Sequence, residues 1–274
     1  MARHVKQSGL RSVVMKSHFV ETSGWAQLAY GETGVRLCGS VTLNHYVGGI
    51  NPMAVLGALG PRDEQGSFLK VVWLPTVHAA SHLCAHCSAG DTHDIPAEWA
   101  GGVLSAVARP IDTIPRISVV APETQTALKE VLDIIAEHKL ILATGHVGRD
   151  EVYHLVDLAK RAGVEKIVVT HAQYAQPNLQ YSDMVSLAAL GAYIELCYVL
   201  IDMNLVTAAD TAKAFREVGA SRVVLSTDVG QVNRPAPADA LRQFGNLLLK
   251  EGIKPAEIDM AMKHTPRALL GLAA

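Results

Sequence analysis

A short β-branched run, one or two small residues and then a histidine or aspartate recur along this chain. The pattern reads Val13-Val14-Met15-Lys16-Ser17-His18, Leu140-Ile141-Leu142-Ala143-Thr144-Gly145-His146, Ile167-Val168-Val169-Thr170-His171 and Val223-Val224-Leu225-Ser226-Thr227-Asp228. A looser fifth case ends at His78, after Val71-Val72-Trp73-Leu74-Pro75-Thr76-Val77. Continuous apolar runs separated by helix-like stretches are the mark of parallel strands buried on both faces. Ligands bind beyond the carboxyl ends of such strands, where these imidazoles and the carboxylate converge. Neutral imidazole and carboxylate are the donors that a divalent transition metal takes, so the pattern predicts a metal centre at the mouth of a barrel.

Core strands are expected near residues 12–16, 35–41, 69–74, 140–144, 166–170, 191–197 and 222–227. Helical patterns run from Ala2 to Ser8, Pro122 to His138, Asp150 to Ala162, Ser182 to Leu190, Ala208 to Val218 and Pro237 to Glu251. Gly9, Gly163, Gly191, Gly219 and Gly252 follow five of them as left-handed stops. The expectation is an α/β fold, a (β/α)8 TIM-like barrel. Seven strands fall one short of closure, and the absent element is the first. Either the barrel is incomplete or the reading frame begins downstream of the natural start. All 274 residues are expected to form one domain, with a loop-rich insertion at about 78–120 over the active-site face.

A formal charge of −2 with intermixed signs leaves no basic stripe for nucleic acid and no polybasic membrane patch. No apolar run approaches the ~18 residues of a membrane span. The expected protein is cytoplasmic, its partners a small-molecule substrate and copies of itself in a homo-oligomer. Four cysteines are too few for a disulfide scaffold, and Cys38 and Cys197 lie inside expected strands as buried thiols. His4, His138, His154 and His264 fall on helical patterns and are not expected as ligands.

His146 and His171 form the strongest candidate pair, since neighbouring strands would present both to one ion. Barrel-mouth histidines bonded to backbone are the plain alternative. Asp228 is a candidate ligand and general base, or a helix cap. Lys16 and His18 point the same way on a regular strand, the lysine suited to an anionic substrate group and His18 to a metal. Glu195, a carboxylate in an otherwise apolar strand, is a candidate ligand or an outer support for one. His78 follows a strand and is a further candidate ligand. The neighbouring His82, Cys84, His86, Cys87 and His93 lack the paired spacing of a structural zinc site. Asn44, Asn51, Gln231 and Arg234 are candidates to contact substrate, although Asn51-Pro52 also reads as a helix cap followed by a first-turn proline. The expected cofactor is a divalent metal, zinc first, with manganese or iron as alternatives.

The Lys-Ser-His, Leu-Asn…Gly-Gly-Ile-Asn-Pro, Thr-Gly-His, Val-Thr-His and Ser-Thr-Asp-x-Gly-Gln segments at Lys16, Leu43, Thr144, Val169 and Ser226 resemble an amidohydrolase-like family of metal-dependent barrels. The closing Thr265-Pro266-Arg267-Ala268-Leu269-Leu270-Gly271 is similar to the last helix of that superfamily. The resemblance implies that His146 and His171 are the ligands of strands five and six, and that Asp228 is the strand-eight ligand and base. Such enzymes begin with a His-x-His strand, and none precedes Gly9. The implied activity is hydrolysis of an amide, cyclic imide or lactone. Two alternatives stand beside it: a phosphoesterase of the polymerase-and-histidinol-phosphatase type, and a catalytically inactive metal-binding barrel.

Overall fold

The structure, a computed structural model, describes residues 2–100, 106–231 and 233–272. Its centre is a parallel sheet of β1 (Gly39–Thr42), β4 (Leu69–Trp73), β5 (Ile141–Ala143), β6 (Ile167–Val169), β7 (Tyr193–Cys197) and β8 (Val223–Ser226), neighbours in that order. A two-residue antiparallel pair, β2 (Arg62–Asp63) and β3 (Gly66–Ser67), lies outside it. The strands are short, β-branched and buried on both faces, as the continuous apolar runs require. Helices on the outside cover them, and Gln125–Glu137, Arg149–Arg161, Ala208–Val218 and Pro237–Lys250 each bury one apolar stripe. All five glycine stops hold positive φ, between 78° at Gly9 and 103° at Gly191. Among the described residues, no helix is long and apolar enough to cross a membrane.

Among the described residues the sheet does not close into a ring. Residues 12–16 were expected as a full strand, but only Val14 pairs, through one parallel bridge to Cys38. The Ser40 hydroxyl donates to the Met15 carbonyl and the Thr42 hydroxyl to that of Ser17, so side chains replace ladder bonds here. On the other flank, no backbone bond among the described residues joins this segment to β8. Val71, Trp73, Ile141, Ala143 and Val168 face one another in the barrel interior, and Leu269 packs against them from the closing helix.

The loop-rich insertion also contains a helix. It is Ala80–Ser88, undetected because its His, Cys and Ala residues carry little periodicity. Among the described residues of the insertion, an antiparallel bridge joins His93 to Pro110. Asn51 caps the helix Pro52–Leu59, its side chain accepting from Met53 N, in the helix-start arrangement that Asn51-Pro52 suggested.

Candidate metal centre

Four strand ends deliver the site. His146 follows β5, His171 follows β6, Asp228 follows β8, and Lys16 and His18 follow the bridged segment. His171 and Asp228 hold φ of 46° and 50°, left-handed values uncommon for any side chain but glycine. Backbone of this kind persists where surrounding structure fixes it and is concentrated at functional sites. Gly145, just before His146, holds φ 68°, and a Cβ there would lie 2.4 Å from the Leu74 carbonyl oxygen. Glycine thus lets β5 turn tightly against the loop after β4 and aim His146 inward.

Each imidazole has one nitrogen oriented by a neighbour. His146 Nδ1 lies 3.0 Å from His82 Nδ1, and its Nε2 is buried without a partner. His18 Nδ1 meets the Thr76 hydroxyl at 2.8 Å. His171 Nδ1 lies 3.2 Å from Glu195 Oε2 and 3.2 Å from Cys197 Sγ, while Glu195 also accepts from the His171 backbone N–H at 3.1 Å. A carboxylate on the far nitrogen of a ligand histidine fixes its tautomer and ring orientation. On the near side, His171 Nε2 lies 3.4 Å from Asp228 Oδ2, and Lys16 Nζ donates to it at 3.4 Å. Lys16 Nζ is also 3.7 Å from Asp228 and 4.8 Å above the Trp73 ring.

The electrostatics favour neutral rings at His146 and His18. Burial, reinforced by the charges of His82, His171 and Lys16, holds His146 well below the usual imidazole range. Burial and then Lys16 do the same for His18. Burial alone would raise the Glu195 carboxyl. The hydrogen bonds and charge of His171, with the Ser226 hydroxyl, outweigh it and leave Glu195 at about 2. Burial also pushes the Cys197 thiol well up, with Glu195 and Asp228 adding to it.

The donor set fits a divalent transition ion: imidazoles, a carboxylate, and the buried ring nitrogens His82 Nε2 and His146 Nε2, which meet no hydrogen-bond partner among the described residues. The His146 and His171 ring centroids are 5.4 Å apart, within the span of two rings sharing an ion at about 2.1 Å per bond. Among the described residues, one group of three metal-capable atoms lies within 4.8 Å: His171, Glu195 and Cys197. Cys197 stands two residues from Glu195 on the same face of β7, so strand alternation was the signal that pointed to it.

The other candidates are placed differently. His78 is buried with both ring nitrogens taken: Nδ1 accepts from His45 N–H at 2.9 Å, and Nε2 meets Asp94 Oδ2 at 2.9 Å. Asn44 is fully buried and bonds His18 and Thr76. Asn51 is the helix cap described above. Gln231 lines the cavity at the mouth, its side chain accepting from Gly230 N–H, and Arg234 pairs with Asp202. Three residues outside the candidate set enter the site. His82 reaches His146 from the insertion helix, Trp99 stacks on His18 at 5.6 Å, and Tyr174 lies 5.6 Å from the His146 ring. His82 and Trp99 reach the site through the path of the insertion, which no local pattern encodes.

Fold and strand-end geometry together define an α/β barrel of parallel strands with its candidate site at the strand mouths. Residues 1–195 match the family model described as "Family of unknown function (DUF6282)", and the chain belongs to that family. No curated protein matches the sequence. Among solved structures, the chain is similar to an organophosphorus hydrolase from Deinococcus radiodurans, at 13% identity and TM-score 0.60, covering 98% of this chain and 81% of that one. It is also similar to a putative 2-pyrone-4,6-dicarboxylic acid hydrolase from Pseudomonas putida, at 15% identity and TM-score 0.57, covering 99% and 87%. An amidohydrolase from Burkholderia multivorans with bound zinc matches at 10% identity and TM-score 0.59, covering 98% and 86%.

Proposed function

We propose that this protein is a metal-dependent hydrolase that cleaves an amide, cyclic imide or lactone. The observation that carries the reading is the pairing of His146 and His171 at neighbouring strand ends, each with one nitrogen held by a neighbour, the His171 Nε2 facing Asp228 and the His146 Nε2 buried with no partner among the described residues. His146, His171 and Asp228 would hold the ion, with His18 as a further donor. Zinc is the first expectation, and similarity to a zinc-bound amidohydrolase agrees with it. A divalent ion there supplies Lewis acidity toward a carbonyl oxygen and toward water.

The side chains do the remainder. Asp228 Oδ accepts the proton that water gives up as its oxygen adds to the carbonyl carbon. The acyl C–N or C–O bond then breaks, and the same carboxyl returns the proton to the departing amine or alcohol. Lys16 keeps its ammonium beside Asp228, stabilising the carboxylate and offering a donor to an anionic substrate group. Glu195 prevents the His171 ring from turning, and Trp99 covers the His18 side of the mouth.

The test is elemental analysis followed by turnover of amides, imides, lactones and p-nitrophenyl phosphate. Near-stoichiometric metal that falls at least tenfold in His146→Ala or His171→Ala, with carbonyl turnover lost about 1,000-fold in Asp228→Asn, is expected. Activity on the phosphate ester alone would move the reading to a phosphoesterase. A metal-free protein with no turnover would leave the inactive barrel.

A further inference from the structure

Three lysines gather at the end of the barrel opposite the candidate metal centre. Lys70 lies near the start of β4, Lys139 just before β5 and Lys166 just before β6, three strands that are neighbours in the sheet. Val71 pairs with Ile141 and Leu142 with Ile167, so all three lysines stand within one residue of the level of Leu140. Two of them are placed by uncommon backbone. Gly39 pairs with Leu69 and Ser40 with Val71, which makes Lys70 the extra residue of a bulge, a device that re-aims a side chain. Lys139 holds φ 52° after the helix Gln125–Glu137 and its cap His138, the position that Gly163 and Gly191 hold after the next two helices. The lysines converge on a cavity of about 330 Å³, with Arg62 also in its lining and no carboxylate among the described residues that form it. None of these four cations has an ion-pair partner among the described residues. Burial and then the Lys70 charge, with Lys139 adding to them, lower the Lys166 ammonium from its usual range against the opposing pull of Glu165. Like charges gathered without a counter-charge carry a repulsion that a bound anion removes. Leu59, Leu140 and Leu269 complete the wall, a surface for the carbon body of an organic anion.

We propose that this face of the barrel is a second binding site, taking a compact organic polyanion, a phosphate ester or a polycarboxylate, whose charged groups lie among Lys70, Lys139 and Lys166. Ammonium groups act as point charges on flexible stems, so three of them meet anionic oxygens from several sides and accept either anion. Barrels of this kind carry out their chemistry at the carboxyl ends of the strands, and this cavity is at the amino ends. Its ligand is therefore not the substrate but an anion that ties three strand starts together, and it binds whether or not the strand mouths hydrolyse anything.

Calorimetry on the full chain after chelator treatment, with α-glycerophosphate, tricarballylate and neutral glycerol as probes, tests this without turnover. At least one of the two anions should bind one to one and weaken as ionic strength rises, while glycerol does not bind. The tighter of the two anions then names the ligand chemistry. Lys70→Met combined with Lys166→Met should weaken that anion at least about tenfold. The same variant should keep or raise the urea midpoint measured without anion, because the repulsion leaves with the charges. Lys139→Gly should also weaken binding and raise that midpoint, since glycine takes the left-handed backbone at less cost. Lys16→Met, at the strand mouths, should leave the affinity unchanged. Loss of binding in Lys16→Met alone would place the anion at the metal centre and overturn the proposal. So would the absence of binding by either anion, or folded Lys70, Lys139 and Lys166 variants that bind as wild type does.

Discussion

Asn44→Ala is the substitution that separates a structural role from a substrate-binding one at the position with the most concentrated polar network. The side chain is fully buried. Its Nδ2 donates to the Thr76 hydroxyl at 2.8 Å and to the His18 carbonyl at 3.1 Å, and its Oδ1 accepts from Thr76 N–H at 2.9 Å. A longer contact of 3.4 Å from His78 N–H completes the set. Alanine leaves the buried Thr76 N–H and His18 carbonyl without this partner, each lost bond costing about 1–1.5 kcal/mol. Three close bonds then amount to about 3–4 kcal/mol, read as a lower urea midpoint with unchanged slope at pH 7.5 in chelator-treated protein. Asn44→Asp should also destabilise, because the donation to the His18 carbonyl becomes a contact between two acceptor oxygens. In the double cycle with Thr76→Val, a coupling of about 1 kcal/mol is expected, since the two residues share a bond. A loss below about 1 kcal/mol for Asn44→Ala, with a raised KM for a substrate found by screening, would refute this reasoning and return Asn44 to substrate contact.

Glu195 titrates at about 2 in the folded protein against an ordinary 4.5, a depressed carboxylate. It therefore stabilises fully above pH 4.5 and loses that contribution as pH falls toward 2, about 3 kcal/mol in all. In chelator-treated protein, the stabilities of wild type and Glu195→Gln should converge across that window; parallel curves would show that the carboxylate is not so held. Gly145→Ala places a Cβ 2.4 Å from the Leu74 oxygen at φ 68°, so a loss of at least about 3 kcal/mol or failure to fold is expected. Wild-type stability in that variant would mean the close approach is not maintained. Burial, aided by Asp94, keeps the Tyr46 phenol above its ordinary range, so it remains a donor to Asp94 at 2.5 Å through neutral pH. Tyr46→Phe should cost about 1–3 kcal/mol and speed proteolytic cleavage between residues 91 and 110; an unaltered cleavage rate would argue against this tie.

Much of the architecture was legible because it is written locally. Six apolar runs became strands within a few residues of their expected limits, since a strand buried on both faces needs no partner to be recognised. The glycines after the helices mark left-handed stops by a steric rule acting within one residue. Strand-end placement of His146, His171 and Asp228 follows from the same runs. What those residues touch does not. His78 ends its run in the same way, yet its ring nitrogens are taken by His45 N–H and by an aspartate sixteen positions later. His82 carries no recognisable ligand spacing, yet the insertion helix sets it against His146.

Sequence by itself determined an α/β barrel of parallel strands, its helix ends, and the set of side chains at the strand mouths. Tertiary structure decided that the buried His146 Nε2 meets no partner among the described residues, that Lys16 approaches both His171 and Asp228, and that a cavity lies open at the mouth. Periodicity and turn chemistry act over a few residues and can be read in order. Hydrogen-bond partnership and void space depend on which distant segments share a register, and only the folded chain fixes that.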